Sequence, residues 1–140
     1  MRFIVCGDIH ARNKPEGALT TYRRLVRAIS AKAIAEGCQF VFFAGDLIHE
    51  KHCVLVEMLI YLYEEFAWAR ARGVTWVLMP GNHDIPAKHK PTVTILHLFR
   101  HVARVYTSRA KLKGDGWSIY LNPWRLPEQF KAQCKDLAQM

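Results

Sequence analysis

The chain has 140 residues, of which 51% are hydrophobic and 23% are charged, and it carries a net charge of +8. This length suits one domain that buries about 70% of its unfolded surface. No apolar stretch approaches the roughly 20 residues that cross a bilayer, and the amino terminus lacks the features of a signal peptide. Together with four cysteines that show no CxxC spacing, these properties predict one cytoplasmic domain over residues 1–140 with reduced thiols and no membrane contact.

The positive charge is concentrated in the carboxyl-terminal part of the chain. Residues 1–85 contain 10 Lys and Arg against 9 Asp and Glu, a balance of +1, whereas residues 86–140 contain 10 against 3, a balance of +7. A basic field of this kind favours polyanions, with nucleic acid before acidic membranes, although it also serves solubility. Charge alone therefore leaves the partner open.

Strand and helix patterns alternate in the first 81 residues. The stretch RFIVC (2–6) is a short apolar run that predicts a buried strand. Apolar residues at spacings of three and four then predict an amphipathic helix over 18–37 that ends at Gly37. The pattern repeats with a strand in QFVFFAG, a helix in VLVEMLIYLYEEFAWARARG and a third strand in VTWVLMPG.

The later patterns are shorter. TVTILHLFRHVA (92–103) predicts another helix, RVYTS a short strand, and KLKGDGWSIYLNPW two strands joined at a Gly-Asp-Gly turn. Strands that alternate with helices predict an α/β fold, with a mostly parallel sheet of β-α-β units and helices on its faces. Because ligands bind such sheets beyond the carboxyl ends of the strands, a functional site is expected there.

Three polar motifs, GDIH, GDLIH and GNHD, follow the three predicted strands. Their polar side chains are Asp8, His10, Asp46, His49, Asn82, His83 and Asp84. If the strands are parallel neighbours, these side chains gather at one edge, and Asp8 and His10 project from the same side of an extended chain. Oxygen and imidazole ligands without cysteine suit Mn²⁺, Fe²⁺ or Zn²⁺. The motifs predict a catalytic metal site.

Each motif taken alone has a simpler interpretation. Asp8 and Asp46 could cap the helices that follow them, and His10 and His49 could be solvated loop residues. Three such motifs at three successive strand ends favour the metal site over coincidence.

The order, strand context and spacing of the motifs resemble the calcineurin-like metallophosphoesterase family over about residues 1–106. Within this family the chain is similar to the SbcD-type nuclease subunits of DNA repair and phage recombination, because His49 lies three residues after Asp46 and a hydrophobic helix follows. The resemblance implies the amino-terminal part of a β-sandwich flanked by helices. It also implies hydrolysis of DNA phosphodiesters by two divalent metals, with Mn²⁺ favoured over Fe²⁺, Zn²⁺ or Mg²⁺.

The resemblance assigns the metal ligands residue by residue. It implies that Asp8 and His10 bind one metal, that Asp46 bridges the two metals, and that Asn82 binds the second. Two metals about 4 Å apart can activate the nucleophile and stabilise the leaving oxygen of an in-line displacement.

The resemblance also assigns the residues that face the substrate. It implies that His83 contacts the scissile phosphate and protonates the leaving oxygen, that Asp84 orients the ring of His83, and that His49 lies near the DNA phosphate. The basic residues of the same loops, which could hold flanking phosphates, are Arg12, Lys14, Lys51, Lys88 and Lys90.

The sequence departs from the family because the later histidine motifs, a lone His and a GHxH, are missing. The last histidine is His101, and we expect His97 and His101 to have surface or core-edge roles. The first metal would thus keep three ligands and the second only two. The chain could be a fragment of a longer enzyme, could borrow ligands from a partner or from His52 and His89, or could be a remnant that binds DNA or a nuclease without cutting.

Two further expectations follow from this truncation. Residues 107–140 are expected to form the outer strands of the sandwich with NPWRLPEQF as the loop that leaves them, and an uncovered sheet edge predicts a homodimer or a partner subunit. Because the motifs contact only the phosphate, a phosphoesterase with a phosphoprotein or small-molecule substrate remains an alternative to a nuclease.

Overall fold

The structure is a computed structural model that describes residues 1–15, 17–87, 90, 92–127 and 130–131. Its main sheet has four parallel strands, which are Phe3–Cys6 (β1), Phe40–Phe43 (β2), Thr75–Leu78 (β3) and Arg104–Val105 (β4). They lie in sequence order across the sheet. In the register, Cys6 pairs with Phe43 and Phe43 with Leu78, so the first three strands end level. The prediction of a mostly parallel α/β sheet is confirmed.

Two α-helices connect the first three strands. They are Ala18–Ala35 (α1) and Val56–Arg70 (α2), and both lie within the ranges predicted from the sequence. Glu65 of α2 is 1% exposed and accepts hydrogen bonds from Arg23 and Arg27 of α1, so the buried carboxylate links the two helices. None of the described helices is long and apolar enough to cross a membrane.

The larger core lies between the helices and the sheet. Trp76 of β3 is fully buried, and its ring centroid lies 5.0 Å from that of Phe66 in α2. Its indole N–H donates to Ser30 Oγ of α1 at 3.0 Å, because a buried indole needs a hydrogen-bond acceptor. One side chain of the central strands therefore joins both helices to the sheet.

An antiparallel hairpin forms the second layer. Its strands are Ala110–Gly114 (β5) and Trp117–Leu121 (β6), as the sequence predicted. Leu121 packs in a small core with Phe42 and Val77 of the main sheet. Gly116 has a φ of 73°, a left-handed conformation that glycine adopts without steric cost in the tight turn. Of the predicted loop NPWRLPEQF, residues 122–127 and 130 are described. Residues 132–140 of the carboxyl terminus lie outside the described residues.

The helix predicted over 92–103 is too long, because this segment forms only a short 3₁₀ helix at Ile95–Phe99. Thr94 is extended, with φ −146° and ψ 148°, and its hydroxyl donates to the carbonyl of Asp84 at 2.7 Å. The hydroxyl oxygen of Thr94 also accepts the N–H of Leu96 at 3.3 Å. The hydrogen bond from Thr94 to Asp84 of the GNHD motif fixes where the helix begins. A tertiary contact therefore overrides the longer helix that apolar spacing predicts over 92–103.

Candidate metal centre

Three residues of the first two motifs have left-handed backbone conformations. Their φ values are 56° for Asp8, 48° for His10 and 59° for Asp46. A non-glycine residue in a sparsely populated region of this kind costs on the order of 1–3 kcal/mol, and such residues cluster at functional sites. All three follow β1 or β2, where the sequence predicted the site.

Hydrogen bonds between the two segments continue the pairing beyond the strands. The N–H of Asp8 donates to Gly45 O at 3.0 Å, and the N–H of Ala11 donates to Leu47 O at 2.9 Å. The N–H of His49 then donates back to Ala11 O at 3.0 Å. The first two motifs therefore form one connected unit rather than two independent loops.

The third motif approaches the second so closely that a side chain at Gly81 is excluded. A Cβ atom on Gly81 would lie 2.1 Å from Asp46 Oδ1 and 2.4 Å from the nitrogen of Asp46. The N–H of His83 donates to Asp46 Oδ1 at 2.8 Å. Asp46 Oδ1 is thus held by the backbone of the third motif, while Oδ2 is turned toward His10 at 3.8 Å from its Nε2.

Two carboxylates converge on one imidazole. His10 Nε2 lies 3.6 Å from Asp8 Oδ1 and 3.8 Å from Asp46 Oδ2, and one donor atom of each residue lies within 4.8 Å of the other two. The Asp8 side chain is 81% exposed, whereas that of Asp46 is 15% exposed. Two oxygens and one nitrogen at this spacing fit a divalent metal of the Mn²⁺, Fe²⁺ or Zn²⁺ type.

Three imidazoles form a second group of candidate donors. His10, His49 and His83 are half-buried and also have donor atoms within 4.8 Å of one another. The rings of His49 and His83 stack with centroids 5.0 Å apart, and the Nδ1 atoms of His10 and His49 lie 3.4 Å apart. Desolvation of the His49 ring and, next, the charge of Arg12 lower the pKa of His49.

His83 is oriented by a backbone carbonyl. Its Nδ1–H donates to His49 O at 3.0 Å, which places the Nδ1 proton on this bond. The other ring nitrogen, Nε2, is therefore the one that can exchange a proton with a substrate.

Asp84 occupies a position different from the one that the resemblance implies. It is 2% exposed, and its carboxylate accepts four backbone N–H groups. Oδ2 accepts from Asp46 at 2.8 Å and from Gly81 at 2.9 Å, with Leu47 at 3.3 Å, and Oδ1 accepts from Ile48 at 3.0 Å. These donors account for both oxygens, so Asp84 clamps the second motif to the third, and the His83 ring is held by His49 O instead.

Burial of Asp84 raises its pKa, and the N–H donors oppose that shift. The sequence did not predict this clamp. The Gly three residues before Asp84 in GNHD was the available signal for a close backbone approach.

The helix-cap alternative for Asp8 and Asp46 is wrong. Helix α1 begins after Gly17 and helix α2 after Leu55, and neither has a side-chain cap hydrogen bond. Asn82 is half-buried next to His83.

The remaining predicted residues differ in their exposure, and two of them lie outside the described part. Lys51 is half-buried, and the exposed ones are Arg12, Lys14, His52, Lys90 and His101. His97 Nε2–H donates to Thr92 O at 2.9 Å, in accordance with a structural role. Lys88 and His89 lie outside the described residues.

The structure is thus an α/β protein with a candidate site for a divalent metal at the carboxyl edge of a parallel sheet. Residues 1–133 match the calcineurin-like phosphoesterase family, and the chain belongs to that family. The family implies divalent metals, and the two donor groups described above are candidates to bind them.

Similarity to solved structures agrees at the level of the fold. A crystal structure of the nuclease MPE of Pseudomonas putida matches with a TM-score of 0.51 and 18% sequence identity, over 74% of this chain and 46% of that one. The chain thus spans less than half the length of that nuclease. A search of the curated proteins found no match.

Proposed function

We propose that the chain is a metal-dependent phosphodiesterase domain that acts on DNA, in the manner of an SbcD-type nuclease subunit. The observation that carries the proposal is the convergence of Asp8, His10 and Asp46, all with left-handed backbones, at the carboxyl edge of neighbouring parallel strands. Residues with this kind of backbone strain cluster at functional sites, where the surrounding structure holds them in place.

Two observations support DNA as the substrate. The carboxyl-terminal residues 86–140 carry a charge of +7, which favours a polyanion. The matched Pseudomonas putida protein is described as a nuclease. Manganese is the proposed ion, since mixed carboxylate, amide and imidazole donors suit it.

The residues of the chain have distinct roles in the proposed reaction. Asp8, His10, Asp46 and Asn82 would hold the ions. When bound, divalent ions supply charge stabilisation for the phosphate and a water-derived nucleophile near neutral pH. As the bond between phosphorus and the leaving oxygen breaks, protonated His83 transfers its Nε2 proton to that oxygen.

Pairing of His83 Nδ1–H with a carbonyl keeps the ring in one orientation for this transfer. His49 stacks on His83 and lies on the substrate side of the site in the proposal. Asp84 holds the second and third motifs together, and so fixes Asp46 relative to His83.

Hydrolysis assays test the proposal. The purified chain is incubated with Mn²⁺ and either bis-p-nitrophenyl phosphate or an end-labelled DNA. We expect turnover of both, and we expect His83→Ala to lower kcat by about 10²–10⁴-fold, the usual contribution of a general acid. His101→Ala, which changes an exposed histidine, is the matched control and should retain activity.

Three outcomes would contradict the proposal. No turnover with bound Mn²⁺, together with chelator-resistant DNA binding, indicates a non-catalytic module that binds DNA or a nuclease partner. Turnover of phosphomonoesters without cleavage of DNA indicates a different substrate. Turnover that survives His83→Ala removes the assigned proton donor.

The number of bound metals distinguishes the remaining alternatives. Two ions per chain, measured by elemental analysis of the dialysed protein, support the two-metal mechanism. One ion supports a site of Asp8, His10 and Asp46 alone, and none supports a remnant. Asp46→Asn should remove every bound ion in the two-metal case, because Asp46 is the proposed bridge.

We also propose a protein partner and a location. Strand β1 lies at an edge of the described sheet, with Phe3 43% and Val5 62% exposed, and a second copy or another subunit would cover this edge. Analytical ultracentrifugation of the chain alone distinguishes the two. The cytoplasm, which keeps thiols reduced, suits the free thiols of Cys6, Cys38 and Cys53.

A further inference from the structure

Two shallow depressions beside the β5–β6 hairpin are lined by basic side chains. The first, of about 350 Å³, includes Arg104, Lys111 and Lys113, and the second, of about 230 Å³, includes Arg109 and Lys111. The two depressions share Lys111, and no acidic side chain of the described residues lines either one. Four of the 10 Lys and Arg residues of the carboxyl-terminal part therefore line these two depressions.

The strand geometry arranges these cations in a row. Lys111 and Lys113 are exposed, whereas Leu112 between them packs against the small core of the second layer. Alternate residues of a strand share a face and lie roughly 7 Å apart, and Arg109, which comes just before β5, lines the same depression as Lys111. Tyr120 pairs with Lys111 across the hairpin, and the ammonium lies 4.7 Å from the centroid of its ring.

One end of this row is directed toward the carboxyl edge of the main sheet. Ala110 pairs with Leu121 at the open end of the hairpin. Shortly after Leu121, the N–H of Trp124 donates to Pro80 O at 3.1 Å, and Pro80 immediately precedes Gly81 of the GNHD motif. The hairpin therefore starts at the carboxyl edge of the main sheet.

The other end of the row lies near the opposite edge of the sheet. Lys113 lines the same depression as Phe40, the first residue of β2. The row of cations thus runs across the second layer, between the carboxyl and the amino edges of the main sheet.

We propose that the solvent face of the hairpin is a nucleic-acid-binding surface, on which Lys111 and Lys113 contact backbone phosphates away from the cleaved bond. This inference rests on the proposed function, because it assigns a second contact for the same DNA. Cations at regular spacing suit a linear polyanion. The exposed residues of the two strands include Lys111, Lys113, Ser118 and Tyr120, and these lack the aliphatic side chains that insert into a lipid surface.

Equilibrium binding without metal tests the surface. Fluorescence anisotropy of an end-labelled single-stranded oligonucleotide is measured in chelator at 50–200 mM salt. The variant Lys111→Gln with Lys113→Gln is compared with Arg24→Gln with Lys32→Gln, which removes the same charge from α1, where Arg24 is exposed and Lys32 has a surface ion pair. Thermal melts establish that both variants are folded.

The expected result is a change in salt dependence that is specific to the hairpin. Each lost contact to a single strand lowers the slope of log K against log salt by about 0.7. The hairpin variant should therefore lose about 1.4 from this slope, and the ratio of its Kd to that of the unaltered chain should fall roughly sevenfold between 50 and 200 mM salt. Lys111→Arg with Lys113→Arg should restore binding, since it restores the charges.

Other outcomes overturn the inference. Equal weakening by the control variant indicates an effect of net charge alone. An unchanged slope in the hairpin variant removes the proposed phosphate contacts. If the hairpin variant loses binding to phosphatidylserine vesicles and keeps its affinity for DNA, the surface recognises lipid. Hydrolysis of bis-p-nitrophenyl phosphate by the unaltered chain tests the proposed function separately, so either idea can fail without the other.

Discussion

The variant Asp84→Asn tests whether Asp84 clamps the second motif to the third or orients the ring of His83. The carboxylate accepts four backbone N–H groups, three at Oδ2 and one at Oδ1. An asparagine can place its single oxygen at the Oδ2 position and keep three of these bonds. Its NH₂ group then faces the N–H of Ile48, which was 3.0 Å from Oδ1, so two donors oppose each other.

The expected loss can be estimated from this geometry. A buried donor without a partner costs about 1–3 kcal/mol, and replacing a charged acceptor weakens the bonds that remain. The free energy of unfolding of Asp84→Asn should therefore fall by about 2–4 kcal/mol. Because the clamp positions Asp46, metal affinity should fall by about 10–100-fold, the usual effect of losing a residue that supports a metal ligand.

Urea denaturation in chelator measures the free energy of unfolding without any metal. Calorimetric titration with Mn²⁺ measures the metal affinity. Asp115→Asn changes an exposed carboxylate at the hairpin turn and should leave both quantities unchanged. If Asp84→Asn lowers kcat while stability and metal affinity stay at the values of the unaltered chain, the clamp is refuted, and a role in orienting His83 is supported.

Gly81→Ala should remove metal binding and lower the free energy of unfolding by about 1–3 kcal/mol, because the new Cβ would lie 2.1 Å from Asp46 Oδ1. An unaltered Mn²⁺ affinity would show that the second and third motifs can move apart. His49 has a lowered pKa in the folded state, so the folded protein binds fewer protons and its stability should fall as the pH drops below about 6.5. In chelator, the loss between pH 7.5 and 5.5 should be smaller for His49→Asn, and an equal loss contradicts this assignment. Asp8→Gly should be about 1 kcal/mol more stable than Asp8→Ala, because glycine adopts a φ of 56° without steric cost. Urea denaturation of the two variants measures this difference. Equal stabilities would exclude backbone strain at Asp8.

The sequence predicted the main sheet because its strands are short apolar runs followed by Gly and polar residues. Hydrophobic periodicity also located both long helices to within a few residues. At 92–103 it predicted too long a helix, because only Ile95–Phe99 forms a helical segment. There Thr94 bonds to Asp84 O, 10 residues earlier in the chain, and a contact between distant residues leaves no periodic signal in the local sequence.

The candidate site was predictable only in part, for a similar reason. Parallel neighbouring strands bring their carboxyl ends to one edge, so the meeting of Asp8, His10 and Asp46 followed from the order of the elements. The backbone conformations and the acceptors of individual N–H groups depend on the close approach of Gly81 to Asp46. Spacing along the chain does not contain that distance, so Gly81 could signal a close approach but could not identify Asp84 as the clamp or His49 O as the partner of His83.

The Asp84 clamp helps to hold Asp46 in its left-handed conformation. A left-handed residue persists when surrounding contacts fix it more strongly than its own preference opposes it. Asp46 meets this condition, because its N–H donates to Asp84 and its side chain accepts from His83 N–H. Asp8, whose N–H is held by Gly45 O, has a mostly exposed side chain. Two carboxylates beside one imidazole repel each other, and a divalent cation removes that repulsion. The fold therefore holds Asp46 in place without a metal, and metal binding at this site would chiefly order Asp8.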